Sequence, residues 1–180
     1  MKTWTSLVTA CALAAGLTTA TLQAQQVTKE TVPGITNFSK LETTIACAGA
    51  TTPEAMPALK KMGYKSVVNL RPASEPGANV PQGEAAAKQA GLIYLHIPFN
   101  AASPDPAVAE RFLTEITKPE NQPAFVHCAS ANRAAAMWLV KRIAVDHWDV
   151  DKASAEASAL GLTNANLKQW AITYGQEHKK

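Results

Sequence analysis

The sequence has 180 residues, of which 47% are hydrophobic and 17% are charged, and its formal net charge is +3 at pH 7. This length suits a single globular domain, and the apolar fraction is too high for an intrinsically disordered chain. Basic residues do not form a block interleaved with aromatic residues, so the composition argues against a nucleic-acid partner.

The first 24 residues have the pattern of an export signal. Lys2 supplies a positive charge, residues 7–22 are apolar or small and uncharged, and Leu22-Gln23-Ala24 fits a cleavage site. We therefore predict a signal peptide over residues 1–24 and a periplasmic or secreted mature protein, with no membrane partner after cleavage. The alternative is a transmembrane anchor, which the threonine, serine and glycine content of this stretch disfavours.

Residues 25–40 are polar and contain a Pro33-Gly34 turn, so we predict a loose lead-in there. Over residues 41–175 we predict one domain, in which β-branched apolar segments alternate with segments of helical periodicity. The predicted strands cover residues 43–48, 66–70, 92–97 and 124–127. The predicted helices cover residues 53–62, 82–90, 107–117, 134–145, 150–160 and 163–174.

This alternation of strands and helices predicts an α/β fold. We expect a mostly parallel central sheet of about four to five strands with helices on both faces. Functional groups in such sheets lie beyond the carboxyl ends of the strands. Arg71, residues 99–105 and Cys128 each follow a predicted strand, so we expect them to converge at one edge of the sheet.

The segment Phe-Val-His-Cys-Ala-Ser-Ala-Asn-Arg, at residues 125–133, carries the strongest functional signal. A strand ends at His127-Cys128, Arg133 follows after four residues, and a helical pattern begins there. Backbone amides and the helix dipole at such a junction favour an anion. The predicted anion-binding residues are Ala129, Ser130, Ala131, Asn132 and Arg133.

In this interpretation Cys128 is a thiolate nucleophile, because the field that binds an anion also favours the ionised sulfur. Arg133 binds the oxygens of the substrate with its planar guanidinium. His127 lies behind the nucleophile, where it either fixes the cysteine backbone or helps to keep the thiol ionised. The residues suggest no metal site and no cofactor.

Two inert interpretations of Cys128 stay open. Cysteine is commonly a buried, unreactive residue of a strand. An exported protein also meets oxidising conditions, so Cys128 could form a disulfide with Cys47, either as a structural bridge or as a reversible redox state.

The Val-His-Cys loop with its arginine, the stretch 52–71 and His96-Ile97-Pro98 together resemble the cysteine-dependent tyrosine and dual-specificity phosphatase superfamily. The match is most similar to the bacterial branch of phosphatase-like domains named after beta-lactamase hydrolase-like proteins, and it covers roughly residues 35–162. The resemblance implies a phosphatase-like fold. It also implies a cysteinyl-phosphate intermediate on Cys128, phosphate binding by Arg133, and a small-molecule or protein phosphate ester as substrate.

Three departures from the superfamily pattern stand out. The loop has four residues between cysteine and arginine where five are usual, a spacing shared with the named branch and with rhodanese-like sulfurtransferases. Ala131 stands where the family has glycine, so the loop is either distorted or uses a turn that alanine accepts. Ala134 replaces a hydroxyl residue that helps the cysteine to leave in the second step.

The general acid is the least defined part of the predicted site. The family places an aspartate in the loop after His-Ile-Pro, where this sequence has Asn100. Asp105 is the candidate acid, although an aspartate before Pro106 also fits a helix N-cap. Arg71 is expected behind the site with Glu75, where the two residues hold either the substrate or each other.

The sequence therefore predicts an exported, phosphatase-like hydrolase of phosphomonoesters that uses a Cys-x4-Arg loop. The alternatives are a rhodanese-like sulfurtransferase or persulfide handler, and a catalytically degenerate anion-binding module. The sequence makes no prediction about the oligomeric state.

Overall fold

A six-stranded sheet with the order β1-β2-β3-β6-β4-β5 forms the centre of the computed structural model, which describes residues 26–42 and 44–179. The predicted signal peptide, residues 1–24, lies outside the described residues. The strands are β1 Val27–Lys29, β2 Ser39–Leu41, β3 Ile45–Ala48, β4 Ser66–Asn69, β5 Ile93–His96 and β6 Ala124–His127. The helices are α1 Met56–Lys61, α2 Val80–Gln89, α3 Pro106–Ile116, α4 Asn132–Ala144, α5 Val150–Ala159 and α6 Ala165–Glu177.

Strands β3, β6, β4 and β5 run parallel, whereas β1, β2 and β3 pair antiparallel. The predicted α/β fold with a mostly parallel sheet is thus confirmed. The expectation of a loose lead-in over residues 25–40 is wrong, because β1 and β2 extend the sheet there. Each of these strands has only three residues, most of them polar, so the sequence shows no strand pattern there. Phe38 marks the segment instead, since it is buried and stacks on Phe125 with 6.1 Å between ring centroids.

Helices cover both faces of the sheet, as predicted. On one face α1 packs through Met56 and Leu59 against a cluster that includes Phe125. On the other face, α3 to α6 surround a larger cluster that includes Val126 and Trp138. All four residues of β6 are buried, which explains the apolar run Ala124-Phe125-Val126 before His127. No helix among the described residues is both long and apolar enough to cross a bilayer.

Helix α4 is the most buried helix of the described chain and continues directly from the loop after β6. Gly175 of α6 lets α4 approach closely, because a Cβ added there would lie 2.9 Å from Cβ of Ile143. On its other side, Arg142 of α4 donates to Glu156 of α5 at 2.7 Å. The position of α4, and of the loop that precedes it, is therefore set by close packing on both sides.

We expect the substitution Gly175→Ala to destabilise the protein. Replacing a glycine within a helix by alanine ordinarily stabilises by roughly 0.5–1 kcal/mol, but overpacking of a core costs about 1–3 kcal/mol. The close contact with Ile143 makes the second effect the larger one. Urea unfolding should show a lower free energy of unfolding for Gly175→Ala and little change for Gln176→Ala, which alters an exposed position of the same helix. An unchanged or higher stability of Gly175→Ala would contradict the packing argument.

Candidate active site

Cys128, the predicted nucleophile, directly follows the carboxyl end of β6 and is hydrogen-bonded to the end of β3. The amide of Cys128 donates to the carbonyl of Ala48 at 3.1 Å, and the carbonyl of Ala129 accepts from Ala50 at 2.9 Å. Gly49 permits this close approach, because a Cβ at that position would lie 2.9 Å from the carbonyl oxygen of Ala129. The start of the loop is therefore held by main-chain contacts that depend little on its side chains.

The loop leads into an α4 N-terminus that has no side-chain cap. The first intrahelical bond runs from the amide of Ala135 to the carbonyl of Ala131, at 2.9 Å. The amides of Asn132, Arg133 and Ala134 precede this bond, so the helix itself offers them no acceptor. Ala131 occupies the N-cap position and has no side-chain oxygen to accept from them. The helix start is thus a cluster of donors suited to an anion.

Ala131 adopts a left-handed conformation, with φ of +77° and ψ of −18°, and is fully buried. The two expectations for this position were a distorted loop and a turn that alanine accepts readily, and the structure shows neither, because Ala131 makes the left-handed turn that glycine favours. An L-residue in this region is disfavoured by roughly 1–2 kcal/mol. A Cβ added at Gly161 would lie 3.0 Å from Cβ of Ala131, so the methyl group packs against the connection between α5 and α6.

Asn132 ties the loop to the same connection. Its Oδ1 accepts from the amides of Thr163 and Asn164 at 2.8 Å each, and its Nδ2 donates to Oγ of Ser130 at 3.3 Å. The side chains of Ser130 and Asn132 also line a cleft of about 750 Å³ whose opposite wall is the segment 29–39. The side chain of Asn132 thus braces the loop, a role that its sequence position alone does not indicate.

Cys128 is 1% exposed, so its side chain is almost completely excluded from solvent. Cys47 pairs in register with Val126 and lies in the same core cluster as Cys128. Both cysteines are free thiols, so the disulfide considered above is not formed in this structure. Burial, and to a lesser extent the neighbouring Cys128, raise the pKa of Cys47 well above its ordinary value. Cys47 is therefore a neutral thiol at pH 7.

His127 is buried, and its ring stacks on Phe125 with 5.7 Å between centroids. Burial and then the charge of Arg71 lower the pKa of His127 to about 3, and the backbone of Cys128 offsets this only in part. Neither ring nitrogen has a hydrogen-bond partner among the described residues. The neutral ring supplies no positive charge to Cys128, so of the two expected roles the electrostatic one is not supported.

Arg133 reaches across the carboxyl edge of the sheet. Its Nη1 donates to the carbonyl of Leu70, which follows β4, at 3.4 Å and to that of Phe99, which follows β5, at 3.3 Å. Its Nη2 lies 2.8 Å from Oε2 of Glu75. The loops after β4, β5 and β6 therefore meet at this guanidinium, and the predicted convergence of the three segments is confirmed.

Arg71 and Glu75 pair with each other, which is one of the two expected arrangements. Nε of Arg71 donates to Oε1 of Glu75 at 2.9 Å, and its other nitrogens donate to the carbonyls of Pro76 and Gly77. Arg71 is 5% exposed. The second partner of Glu75, Arg133, is 58 residues away in sequence and no local pattern pointed to it.

Asp105 caps α3: its Oδ1 accepts from the amide of Ala107 at 2.9 Å. The capping role is thus confirmed, and the side chain is exposed. Asn100 makes a turn with Ala102, whose amide donates to Oδ1 at 3.0 Å. Among the described residues, the carboxylate that contacts the loop arginine is Glu75 and not Asp105.

We expect the strain at Ala131 and the packing of Gly161 to be coupled. Gly161→Ala would add a Cβ against the Ala131 methyl group and place alanine at a φ of +116°, so it should destabilise the protein. In an Ala131→Gly background the steric part disappears. A double-mutant cycle in urea should therefore give a coupling energy of about 0.5–3 kcal/mol, with Gly161→Ala less harmful in that background than in the wild type. Additive effects would show that the two residues do not contact each other in solution.

The buried His127 should make the free energy of unfolding of this protein depend on pH. The pKa of an unfolded histidine is near 6.5, and that of folded His127 is about 3. Below pH 6.5 the unfolded chain takes up a proton that the folded protein excludes, so stability is lost as the pH falls towards 3. The free energy of unfolding should decrease by about 1.4 kcal/mol per pH unit more in the wild type than in His127→Gln. Urea unfolding between pH 7 and pH 4 tests this, and parallel profiles of the two proteins would refute it.

Comparison with known sequences agrees with the geometry of the site. The family model of the beta-lactamase hydrolase-like protein, phosphatase-like domain, matches residues 37–145, which is more than half of the chain. A beta-lactamase hydrolase-like protein of Xylella fastidiosa is 31% identical over 114 residues, which cover 61% of this chain and 26% of that protein. The corresponding protein of Agrobacterium fabrum is 33% identical over 86 residues. The chain thus spans about a quarter of the length of the curated relatives that it matches.

Solved structures show the same fold. A DUF442 protein from Shewanella putrefaciens superposes with a TM-score of 0.67 at 21% identity, over 80% of this chain and 89% of that chain. A cysteine-to-serine variant of TpbA from P. aeruginosa, in complex with pTyr, gives a TM-score of 0.63 at 21% identity, over 87% and 91% of the two chains. With the matched family model, these observations show that the chain belongs to the family of phosphatase-like domains of beta-lactamase hydrolase-like proteins.

Proposed function

We propose that this protein is an exported phosphatase that hydrolyses phosphomonoesters through a cysteinyl-phosphate intermediate. The observation that carries the proposal is the junction of β6 and α4. There, Cys128, the uncapped amides of α4 and the guanidinium of Arg133 lie within one seven-residue segment, 128–134, at the carboxyl edge of the sheet. Membership of a phosphatase-like family supports this assignment.

In the first step, the Cys128 thiolate attacks phosphorus, a P–S bond forms, and the P–O bond breaks; the leaving oxygen keeps the bonding electrons and takes a proton from water. In the second step, water attacks the phosphocysteine, the P–S bond breaks, and phosphate and the thiolate are released. The negative charge of the transition state lies on the non-bridging oxygens. The amides of α4 and the positive charge of Arg133 are oriented before the reaction starts, which is the arrangement that stabilises such charge most effectively.

The described side chains bear on both steps. Asp105 caps α3 and Glu75 contacts two arginines, so we assign no general acid to protonate the leaving oxygen in the first step. An aryl phosphate depends least on such an acid, because a phenolate is a good leaving group. Ala134 is buried and has no hydroxyl group with which to assist the departing sulfur, so with an aryl phosphate we expect hydrolysis of the phosphocysteine to be slower than its formation.

The cleft beside the loop is where we place the rest of the substrate. It is lined by Ser130, Asn132 and Thr163 on one side and by the segment 29–39 on the other. The P. aeruginosa structure in complex with pTyr makes an aryl phosphate the natural first substrate to test. Export to the periplasm or the medium is part of the proposal and depends on the signal-like pattern of residues 1–24.

The purified mature protein should hydrolyse an aryl phosphate such as p-nitrophenyl phosphate. Cys128→Ser should reduce kcat by at least about 10³-fold, because removal of a nucleophile abolishes the covalent route. Cys47→Ala changes the other free cysteine and should leave most of the activity. Phosphate binding should persist in Cys128→Ser and be lost in Arg133→Ala.

Two other results would favour the alternative functions. The four-residue spacing also fits a sulfurtransferase, which would convert thiosulfate and cyanide to thiocyanate and carry one additional sulfur atom on Cys128. Phosphate binding that depends on Arg133, without either reaction, would identify an anion-binding module. Full hydrolytic activity in Cys128→Ser would refute the proposed chemistry.

A further inference from the structure

We infer that Lys29 selects substrates that carry a second anionic group besides the phosphate that Cys128 removes. The inference rests on the proposed function, because it names a property of the ester that the site would hydrolyse. Lys29 lies outside the matched family model, which begins at residue 37. The family match therefore assigns it no role.

Lys29 ends β1 and lies in register with the strand that leads to the nucleophile. It pairs with Ser39 of β2, Ser39 pairs with Cys47 of β3, and Cys47 pairs with Val126 of β6. Directly paired residues point their side chains to the same face of a sheet. Cys47 and Val126 belong to the core on the side of α3 to α6. The side chain of Lys29 therefore projects over the face on which α4 and the α5–α6 connection lie.

The spacing of the strands gives the reach of this lysine. Neighbouring strands lie about 4.8 Å apart, so three steps across the sheet place the backbone of Lys29 about 14 Å from that of Val126. Cys128 lies two residues further along its strand direction, which adds about 7 Å at a right angle. A lysine side chain of four methylene groups spans roughly 6 Å. The ammonium group therefore comes to roughly 10 Å from the nucleophile, within the length of a small substrate.

The cleft beside the nucleophile loop has two charged residues in its described lining, Lys29 and Glu30. Glu30 forms an ion pair with Lys40 of β2, so its charge is balanced. Lys29 is exposed and forms no ion pair or side-chain hydrogen bond with a described residue. The other polar groups of the lining are hydroxyls and amides, such as those of Ser130 and Thr163. The described cleft thus has one unbalanced charge, and that charge is positive.

The cleft wall that carries this lysine is held in place before a substrate binds. The amide of Glu30 donates to the carbonyl of Phe38 at 3.2 Å, and Phe38 is buried. The amide of Thr36 donates to the carbonyl of Ala50 at 2.9 Å, and the amide of Ala50 donates to Ala129 of the nucleophile loop. The backbones of the wall and the loop therefore keep a fixed separation, so a substrate that bridges them loses little freedom in ordering the protein.

A lysine binds carboxylates and phosphates alike, because its ammonium group acts as a point charge. The shared chemistry of the predicted substrates is therefore a phosphate ester with an additional acid group that extends into the cleft. An acidic residue beside a phosphotyrosine would supply that group in a peptide. A carboxylate or a second phosphate would supply it in a small molecule.

The experiment compares two pairs of ligands that differ only in the additional charge. The small pair is 4-(2-carboxyethyl)phenyl phosphate and its primary amide. The peptide pair is a phosphotyrosine pentapeptide with either glutamate or glutamine after the phosphotyrosine. Affinities are measured by calorimetry in a Cys128→Ser background, so that no turnover occurs, and kcat/KM is measured with the cysteine present.

We expect the acidic ligand of a pair to bind about tenfold more tightly than its amide, since a charged hydrogen bond contributes that much. Lys29→Gln should abolish this preference, Lys29→Arg should keep it, and Lys29→Glu should reverse it. High salt should weaken the preference, because exposed charges are screened. Lys88→Gln, which removes an exposed lysine of α2 far along the chain from the cleft, should keep the full preference.

The two pairs of ligands also distinguish the sources of the second charge. A larger preference in the peptide pair would support an acidic phosphopeptide as the substrate, and a larger one in the small pair would support a small molecule. Hydrolysis of all four esters without a preference would overturn the inference and leave the proposed function standing. Binding with a preference that depends on Lys29, but without hydrolysis, would refute the proposed function alone. A preference that folded Lys29→Gln retains, or binding of none of the four ligands, would also overturn the inference.

Discussion

The chain has to pass from the end of β6 into α4 within the few residues between Cys128 and Arg133, and the left-handed turn at Ala131 is how it does so. This turn sets the direction of α4 and brings the first amides of the helix next to the strand end. A side-chain cap at the same position would satisfy those amides internally. Because alanine cannot cap, the turn leaves them as donors, and the backbone strain is carried by packing against the α5–α6 connection.

The charges around this turn are arranged in alternation. Arg71, Glu75 and Arg133 form a row of positive, negative and positive groups along the carboxyl edge of the sheet. A buried guanidinium without a partner would be costly, so some acidic group is needed near Arg133 when no anion is bound. Glu75 meets this requirement, and its other contact is with Arg71. His127, directly before the nucleophile, remains neutral and adds no charge to the row.

Local patterns in the sequence predicted much of the fold and part of the candidate site. The buried parallel strands β4 and β6 were recognisable because both faces of each are covered and each contains a short apolar run, as in residues 124–126. Strands β1 and β2 were missed because each has only three residues and most of these are polar. The loop of Cys128 was recognisable from a strand, a turn and a helix in succession, and Asp105 from its place before a proline. The contact of Glu75 with Arg133 depends on the tertiary structure, since it joins the loop after β4 to the start of α4.

The contact between Ala131 and Gly161 has a consequence for how sequences of this family diverge. Residue 161 has a φ of +116°, and the methyl group of Ala131 crowds any Cβ there, so two separate constraints favour glycine at this position. In a homologue with glycine at residue 131 the steric constraint is absent and only the backbone constraint remains. Side chains at residue 161 should therefore be rarer among homologues with alanine at residue 131 than among those with glycine there.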